Sequence, residues 1–281
     1  HFPLSAKYAA LLPPSFLGMT GKFHTTWGEF GGFKHPNALR YECAAMIAHG
    51  ARCSIGDQLH PDAELDEGTY ELIRAAYSDV EAKEPWCVES QNVADVAILS
   101  TVSTNGGAES HTEESAADVG AGRLLLESHV LFDVIDKEMD FSPYTALVLP
   151  DESRVDEELY EKLKGFIDNG GKLILSGRSS LKPDESGFLF DLGADYDGPS
   201  AFQPDFVCPA EGFKPEISPT PFVSYFRSQR IKPTTGKSIG DIHDPWFNRT
   251  YAHFSSHQHA PYHKDPSGFS AGVVTGNILY F

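Results

Sequence analysis

The sequence predicts an α/β chain in two parts. The first, residues 1–88, reads as the C-terminal part of a (β/α)8 TIM barrel. The second, residues 93–281, reads as a flavodoxin-like domain with an irregular β-rich tail from about residue 196. Three observations carry this. Residues 16–60 run strand, loop, helix, strand, loop, and polar chemistry gathers after each strand, which is how the catalytic face of such a barrel is built. Residues from 93 to 177 alternate apolar strands with helices, the pattern of a doubly wound parallel sheet. Past 196 no long helix is visible, and prolines and aromatics become dense. The chain begins just before the first unit, so only the tail of a barrel is expected. It stops inside an apparent strand, GNILYF, which suggests truncation at that end too.

In order, residues 1–15 are Pro-rich and are expected to be irregular. FLGMTGKF is an apolar strand, and HTTWGEFGG after it mixes His24, Trp27 and Glu29 with three glycines. The helix HPNALRYECAAMIAHG, the strand ARCSI and the loop GDQLHP, with Asp57 and His60, complete the βαβ unit. A closing helix, DEGTYELIRAAYSDVEAKEP, has Asp66 as its N-cap and Tyr70, Ile73, Ala76, Tyr77 and Val80 at helical spacing. Pro85 is expected to end it, and 87–93 to be a linker. VADVAILST is a continuous apolar run of the kind buried in a parallel sheet. The polar loop TNGGAESHTEES and a helix around AADVGAGRLLLESH follow. Then come the strands VLFDVID and TALVLPD, the helix VDEELYEKLKGFIDNG closed by Gly170 and Gly171, and the strand KLILSG. The tail offers short strands, FVSYF and GVVTGNILYF, appended to the second sheet.

The 281 residues suffice for two domains at about 150 residues each. With 22 basic and 40 acidic residues the formal charge is −18. That disfavours nucleic acid and anionic membranes as partners and favours a neutral or cationic ligand; a solvated acidic surface explains the charge as well. Cys43, Cys53, Cys87 and Cys208 form no CxxC pair, so no zinc knuckle or redox motif is expected. Their usage fits a reducing compartment. No run of about 18 apolar residues exists to span a membrane, and the N-terminus lacks the marks of a signal peptide. A cytoplasmic location is the expectation, with secretion left open. No GxGxxG motif follows any strand, and no cofactor is expected.

WGEFGG, LRYECAAMIAHGA, CSIGDQLHP and YELIRAAYSDVEAKEPWC together resemble a bacterial family of glycoside hydrolases related to the β-galactosidases that carry a trimerisation domain. ESAADVGAGRLLLESHVLFDVIDKEMDFSPYTALVLPDE resembles that trimerisation domain itself, and DPWFNRTYAHFSSHQHAPY is similar to a segment of these proteins. The resemblance implies a barrel glycosidase with a class I glutamine amidotransferase-like second domain. It implies a carbohydrate substrate and a homo-oligomer, with three as the number. It also implies that the acid/base after strand four lies outside this chain. By their place in the pattern FLGMTGKF resembles strand seven and ARCSI strand eight. Glu29 then lies in the loop where the related β-galactosidases place their nucleophile, although their usual Glu-containing strand terminus is missing here. In amidotransferases a nucleophilic Cys sits on a strand-to-helix elbow; KLILSG instead runs into Arg178-Ser179-Ser180. The second domain is therefore expected to be noncatalytic, fit for assembly.

Glycoside hydrolysis usually needs two carboxylates flanking the bond. Glu29 and Asp57 are the candidates. The competing readings are an exposed loop carboxylate for Glu29 and a brace of the GDQ turn for Asp57. His24 and His60 are candidate donors to sugar hydroxyls, against structural loop histidines. Trp27 offers a flat face for the C–H side of a pyranose, against simple core packing. His257 and His259 head a His-rich stretch with His243, His253 and His263. Adjacent spacing on a strand points His257 and His259 the same way but fixes no third ligand, so no metal is expected. A hydrogen-bonding loop that completes a neighbouring subunit's sugar site is one reading and a structural role the other. Asn248-Arg249-Thr250 is a formal glycosylation sequon, taken as chance. The alternative to an enzyme is a noncatalytic oligomerisation or carbohydrate-binding fragment.

Overall fold

A computed structural model describes residues 2–106, 115–216 and 220–281. The chain divides into two compact units, residues 1–94 with 132–134, and residues 95–131 with 135–281.

The first unit opens with a helix, α1 (Phe2–Ala9), where an irregular segment was expected. Pro3 lies in the first turn, where its missing N–H leaves no bond unmade, and good helix formers follow. Ala6 is buried. Strand β1 (Leu17–Gly21) and strand β2 (Arg52–Gly56) pair in parallel, from Leu17 with Arg52 to Gly21 with Gly56. Helix α2 (Pro36–Ala48) connects them. His35 caps it, its Nδ1 accepting from the N–H of Asn37 at 3.1 Å, and Pro36 follows at the first helical position. Helix α3 (Glu67–Cys87) begins, as expected, on Asp66, whose carboxylate accepts from the Gly68 N–H and the Thr69 hydroxyl. It does not stop at Pro85. That residue forfeits one backbone bond, but the Val88 N–H donates to the Glu84 carbonyl at 3.0 Å and keeps the last turn closed. Leu39, Cys43 and Ala76 form the small core between α2 and α3, with Cys53, Ile55 and Val80 packed on it.

Among the described residues the second unit is built on strands of an 11-stranded sheet, and residues 132–134 of one of those strands group with the first unit. Strand β3 (Val96–Leu99), a single turn α4 (Thr101–Thr104), α5 (Ala116–Glu127), β4 (Phe132–Ile135), β5 (Ala146–Leu149), α6 (Glu157–Asp168) and β6 (Lys172–Leu175) follow the expected alternation. Residues 107–114 of the expected polar loop lie outside the described residues. β3 pairs with β5 and β5 with β6, both in parallel. Among the described residues the tail adds seven further strands, more than its composition announces: β7 (Ala194–Pro199), β8 (Asp205–Pro209), β9 (Phe222–Ser224), β10 (Gln229–Pro233), β11 (Lys237–His243), β12 (Ser270–Thr275) and β13 (Ile278–Tyr280). The expected strand GVVTGNILYF is a hairpin, β12 turning back into β13. β13 then lies parallel beside β6, so the last residues join the parallel and antiparallel parts. Its core gathers Leu147, Leu149, Leu163, Leu173, Leu175 and Ile231, each buried completely. Among the described residues no helix is long and apolar enough to cross a membrane.

Candidate active site

The parallel pair β1–β2 ends on two glycines placed side by side, Gly21 and Gly56. The indole of Trp27 lies across both. A Cβ on Gly21 would stand 2.9 Å from that ring, and one on Gly56 2.5 Å; glycine is what lets the ring approach the strand ends. Phe23 meets Trp27 edge-on, ring centroids 5.1 Å apart. Trp27 nevertheless remains 65% exposed, so it is not core packing and its outer face is open.

Directly past the glycines stand Lys22 and Asp57. The Lys22 N–H donates to the Gly56 carbonyl at 3.1 Å, which locks the two strand ends together. Its ammonium lies 3.7 Å from Asp57 Oδ1, with the two side chains 4% and 13% exposed. The rings of Phe33 and Phe23 flank that ammonium at 4.7 and 5.3 Å from their centroids. Asp57 is therefore largely enclosed at a strand end and faces a cation. The one sequence signal for Lys22 is a lone lysine at the end of an apolar strand. Behind it, Lys34 Nζ binds Glu42 at 2.9 Å and the Thr20 hydroxyl at 2.8 Å, and the Lys34 N–H donates to the Lys22 carbonyl.

Glu29 behaves differently. Its Oε1 accepts from the Thr25 N–H at 2.5 Å. Hydrogen bonds from backbone Thr25 first, then Thr26 and His24, hold its carboxyl below the usual carboxylate range, helped by the His24 charge and opposed by a smaller desolvation. The side chain thus folds back on its own loop. Gly28, at φ 84°, supplies the left-handed backbone that this turn requires. An ionised carboxylate is what a nucleophile needs and what a proton donor lacks. Of the proposed sugar donors, His24 is exposed and its Nδ1 lies 3.1 Å from the Thr25 hydroxyl. His60 is exposed and packs edge-on against Phe30 with centroids 5.1 Å apart, linking the loops after β1 and β2. Next to Asp57, the side-chain nitrogen of Gln58 is buried with no hydrogen-bond partner.

The structure therefore gathers His24, Trp27, Glu29, Asp57 and His60 on the two loops of the first unit. His257 and His259 belong to the second unit. They lie in irregular chain, not on the strand expected for them. His257 is exposed, and His259 packs near Tyr225 with centroids 5.9 Å apart. The same unit holds an ion network around the buried Arg230 that no sequence motif announces. Arg230 Nη2 donates to Asp205 at 2.8 Å, Asp244 at 2.6 Å and the Ser200 hydroxyl at 2.6 Å. Asn248 of the sequon is spent on the backbone of 201 and 203. After β6, Ser176 donates to Asp151 at 2.5 Å, and Ser180 adopts φ 61° with its hydroxyl buried. Among the described residues no group of three or more His, Cys, Asp or Glu side chains is arranged to hold a metal.

Residues 123–194 match the family described as the beta-galactosidase trimerisation domain. A 54-residue stretch, 19% of this chain and 8% of the relative, is 39% identical to beta-galactosidase GanA of Bacillus subtilis (strain 168). Over its whole length the chain is 46% identical to alpha-L-fucosidase isoenzyme 2 from Paenibacillus thiaminolyticus, with a TM-score of 0.93. Gan42B, a GH42 beta-galactosidase from G. stearothermophilus, shares the fold at 19% identity and a TM-score of 0.69 over 99% of this chain. The chain is thus a relative of the glycoside hydrolases that carry a trimerisation domain. It spans 42% of the length of the fucosidase and of Gan42B.

Proposed function

We propose that the chain serves in the exo-hydrolysis of a neutral sugar glycoside, a fucoside or a galactoside, by a carboxylate-based mechanism. The observation that supports it is the cluster at the ends of β1 and β2: an enclosed carboxylate, an open indole face and two imidazoles on adjacent loops. In this reading the first unit is the end of a (β/α)8 barrel, whose chemistry sits after its strands. Asp57 and Glu29 are its carboxylates here. Trp27 offers its exposed face to the C–H side of the sugar, and His24 and His60 donate to hydroxyls. The second unit is an amidotransferase-like assembly domain without a nucleophile of its own, and it builds a homo-oligomer, a trimer. His257 and His259 belong to a hydrogen-bonding loop that completes the sugar site of a neighbouring subunit. The four free thiols fit a reducing, cytoplasmic setting.

A second reading has one observation in its favour. The Glu29 carboxylate is spent on its own loop, as expected if this region only binds sugar or supports assembly. Aryl glycosides of fucose, galactose, arabinose and glucose, offered to the full-length protein and to its Asp57→Asn and Glu29→Gln variants, separate the two. Turnover lost in either variant supports catalysis; turnover unchanged in both supports the second reading.

A further inference from the structure

Lys22 has three N–H donors and almost no solvent. The only ion pair it makes among the described residues reaches Asp57 at 3.7 Å, longer than the 2.7–3.2 Å of a direct hydrogen bond. The rings of Phe23 and Phe33 also flank the ammonium; they attract a cation but do not replace an oxygen acceptor. Burying an ammonium in this way is costly unless it is paired and hydrogen-bonded. A cheaper structural brace already exists next door, where Lys34 holds Glu42 and Thr20 at hydrogen-bond distance. Lys22 and Asp57 stand instead directly past the paired strand ends Gly21 and Gly56, the two glycines on which the exposed indole of Trp27 lies.

We infer that Lys22 and Asp57 form a couple that recognises one sugar hydroxyl. The ammonium donates to the hydroxyl oxygen, and the hydroxyl donates its own proton to the carboxylate. A separation of 3.7 Å lets one oxygen sit at hydrogen-bond distance from both. A hydroxyl is the group that fits, because it is donor and acceptor at once. A ligand that only accepts would satisfy Lys22 and repel Asp57; one that only donates would do the reverse. The couple therefore selects a neutral, hydroxyl-bearing ring over a sugar acid or an amino sugar at that position. The unpartnered amide nitrogen of Gln58 adds a further donor in the residue beside Asp57. This rests on the glycosidase reading above and adds to it a specificity-determining residue, Lys22.

The test uses the full-length protein. Binding of L-fucose, D-galactose and their monodeoxy analogues is measured by calorimetry, beside turnover of the matching aryl glycosides. The wild-type protein should bind one monodeoxy analogue about 10- to 100-fold more weakly than its parent, the range of a charge-assisted hydrogen bond. Lys22→Met should bind the parent that much more weakly, bind parent and deoxy analogue alike, and show the loss mainly in KM. Its melting temperature should stay close to wild type or fall modestly from the unpaired Asp57. Lys22→Met that still discriminates parent from deoxy analogue overturns the inference. If that variant does not fold, the wild-type panel decides alone, and equal binding of all analogues overturns the inference. Turnover of an aryl glycoside without hydroxyl discrimination sinks the couple and leaves the glycosidase reading standing. Absence of both sugar binding and turnover sinks both.

Discussion

Lys22 and Glu29 carry opposite charges in one loop system, and the backbone decides what each does. Lys22 is the first residue past a strand and is enclosed against Asp57; Glu29 is seven residues further on and is turned onto N–H groups of its own loop. The Glu29 carboxyl is held low by those bonds, so its folded value lies below the unfolded one. The sign follows: the loop bracing is complete above the ordinary Glu value and is lost as pH falls through the lower, folded value. A carbon-detected carboxylate titration should place Glu29 below an ordinary glutamate; a value at or above ordinary would mean that the loop is not braced this way. Asp57→Asn should lower turnover of the best aryl glycoside by about 10²–10⁴-fold if the carboxylate moves a proton or supports one that does. That His24, Trp27, Asp57 and His60 would lie on the loops after β1 and β2 was legible, because the apolar strand runs end just before them. The part played by Glu29 was not legible, because it depends on the left-handed turn at Gly28, which residue type alone does not dictate. Lys22 was missed because a lone lysine usually sits in solvent, and only the folding over of Phe23 and Phe33 buries it.

At the level of elements, the helices with a clear apolar period and a cap were readable, and α6 is the plainest. Asp156 caps it, accepting from the Leu159 N–H at 2.9 Å, with Lys137 beside it at 3.0 Å. Asp156→Ala should cost about 1 kcal/mol in unfolding free energy, measured by urea titration. The Asp156 carboxyl is held low by the Leu159 N–H first and Lys137 second, so the cap weakens as pH falls through its folded value. Leu163, on the inner face of the same helix, is fully buried; Leu163→Ala should cost about 2–5 kcal/mol by the same measurement. An effect under 1 kcal/mol at Leu163 would contradict the packing. The tail was read less well. β7 alternates half-buried and exposed residues and carries Gly198 and Pro199, so its propensity is weak and its pairing with β10 defines it. Likewise α1 hid behind its proline, and α3 ran through Pro85 because one lost bond does not end a helix whose face is packed.

For the whole molecule, the formal charge of −18 fits a neutral substrate better than an anionic one. Residues 123–194 match a trimerisation domain, so light scattering on the full-length protein should return a closed oligomer of three subunits, with activity falling on dilution along with mass. A fully active monomer would contradict the assembly. The central claim, that the ends of β1 and β2 carry glycosidase chemistry, has its most direct test in kcat/KM. The measurement compares full-length wild type and Asp57→Asn on the best aryl glycoside of the fucose, galactose, arabinose and glucose panel. Turnover by the wild type, reduced about 100-fold or more in a folded Asp57→Asn variant, is the result expected. Equal turnover by the two proteins, or none by the wild type, would contradict it.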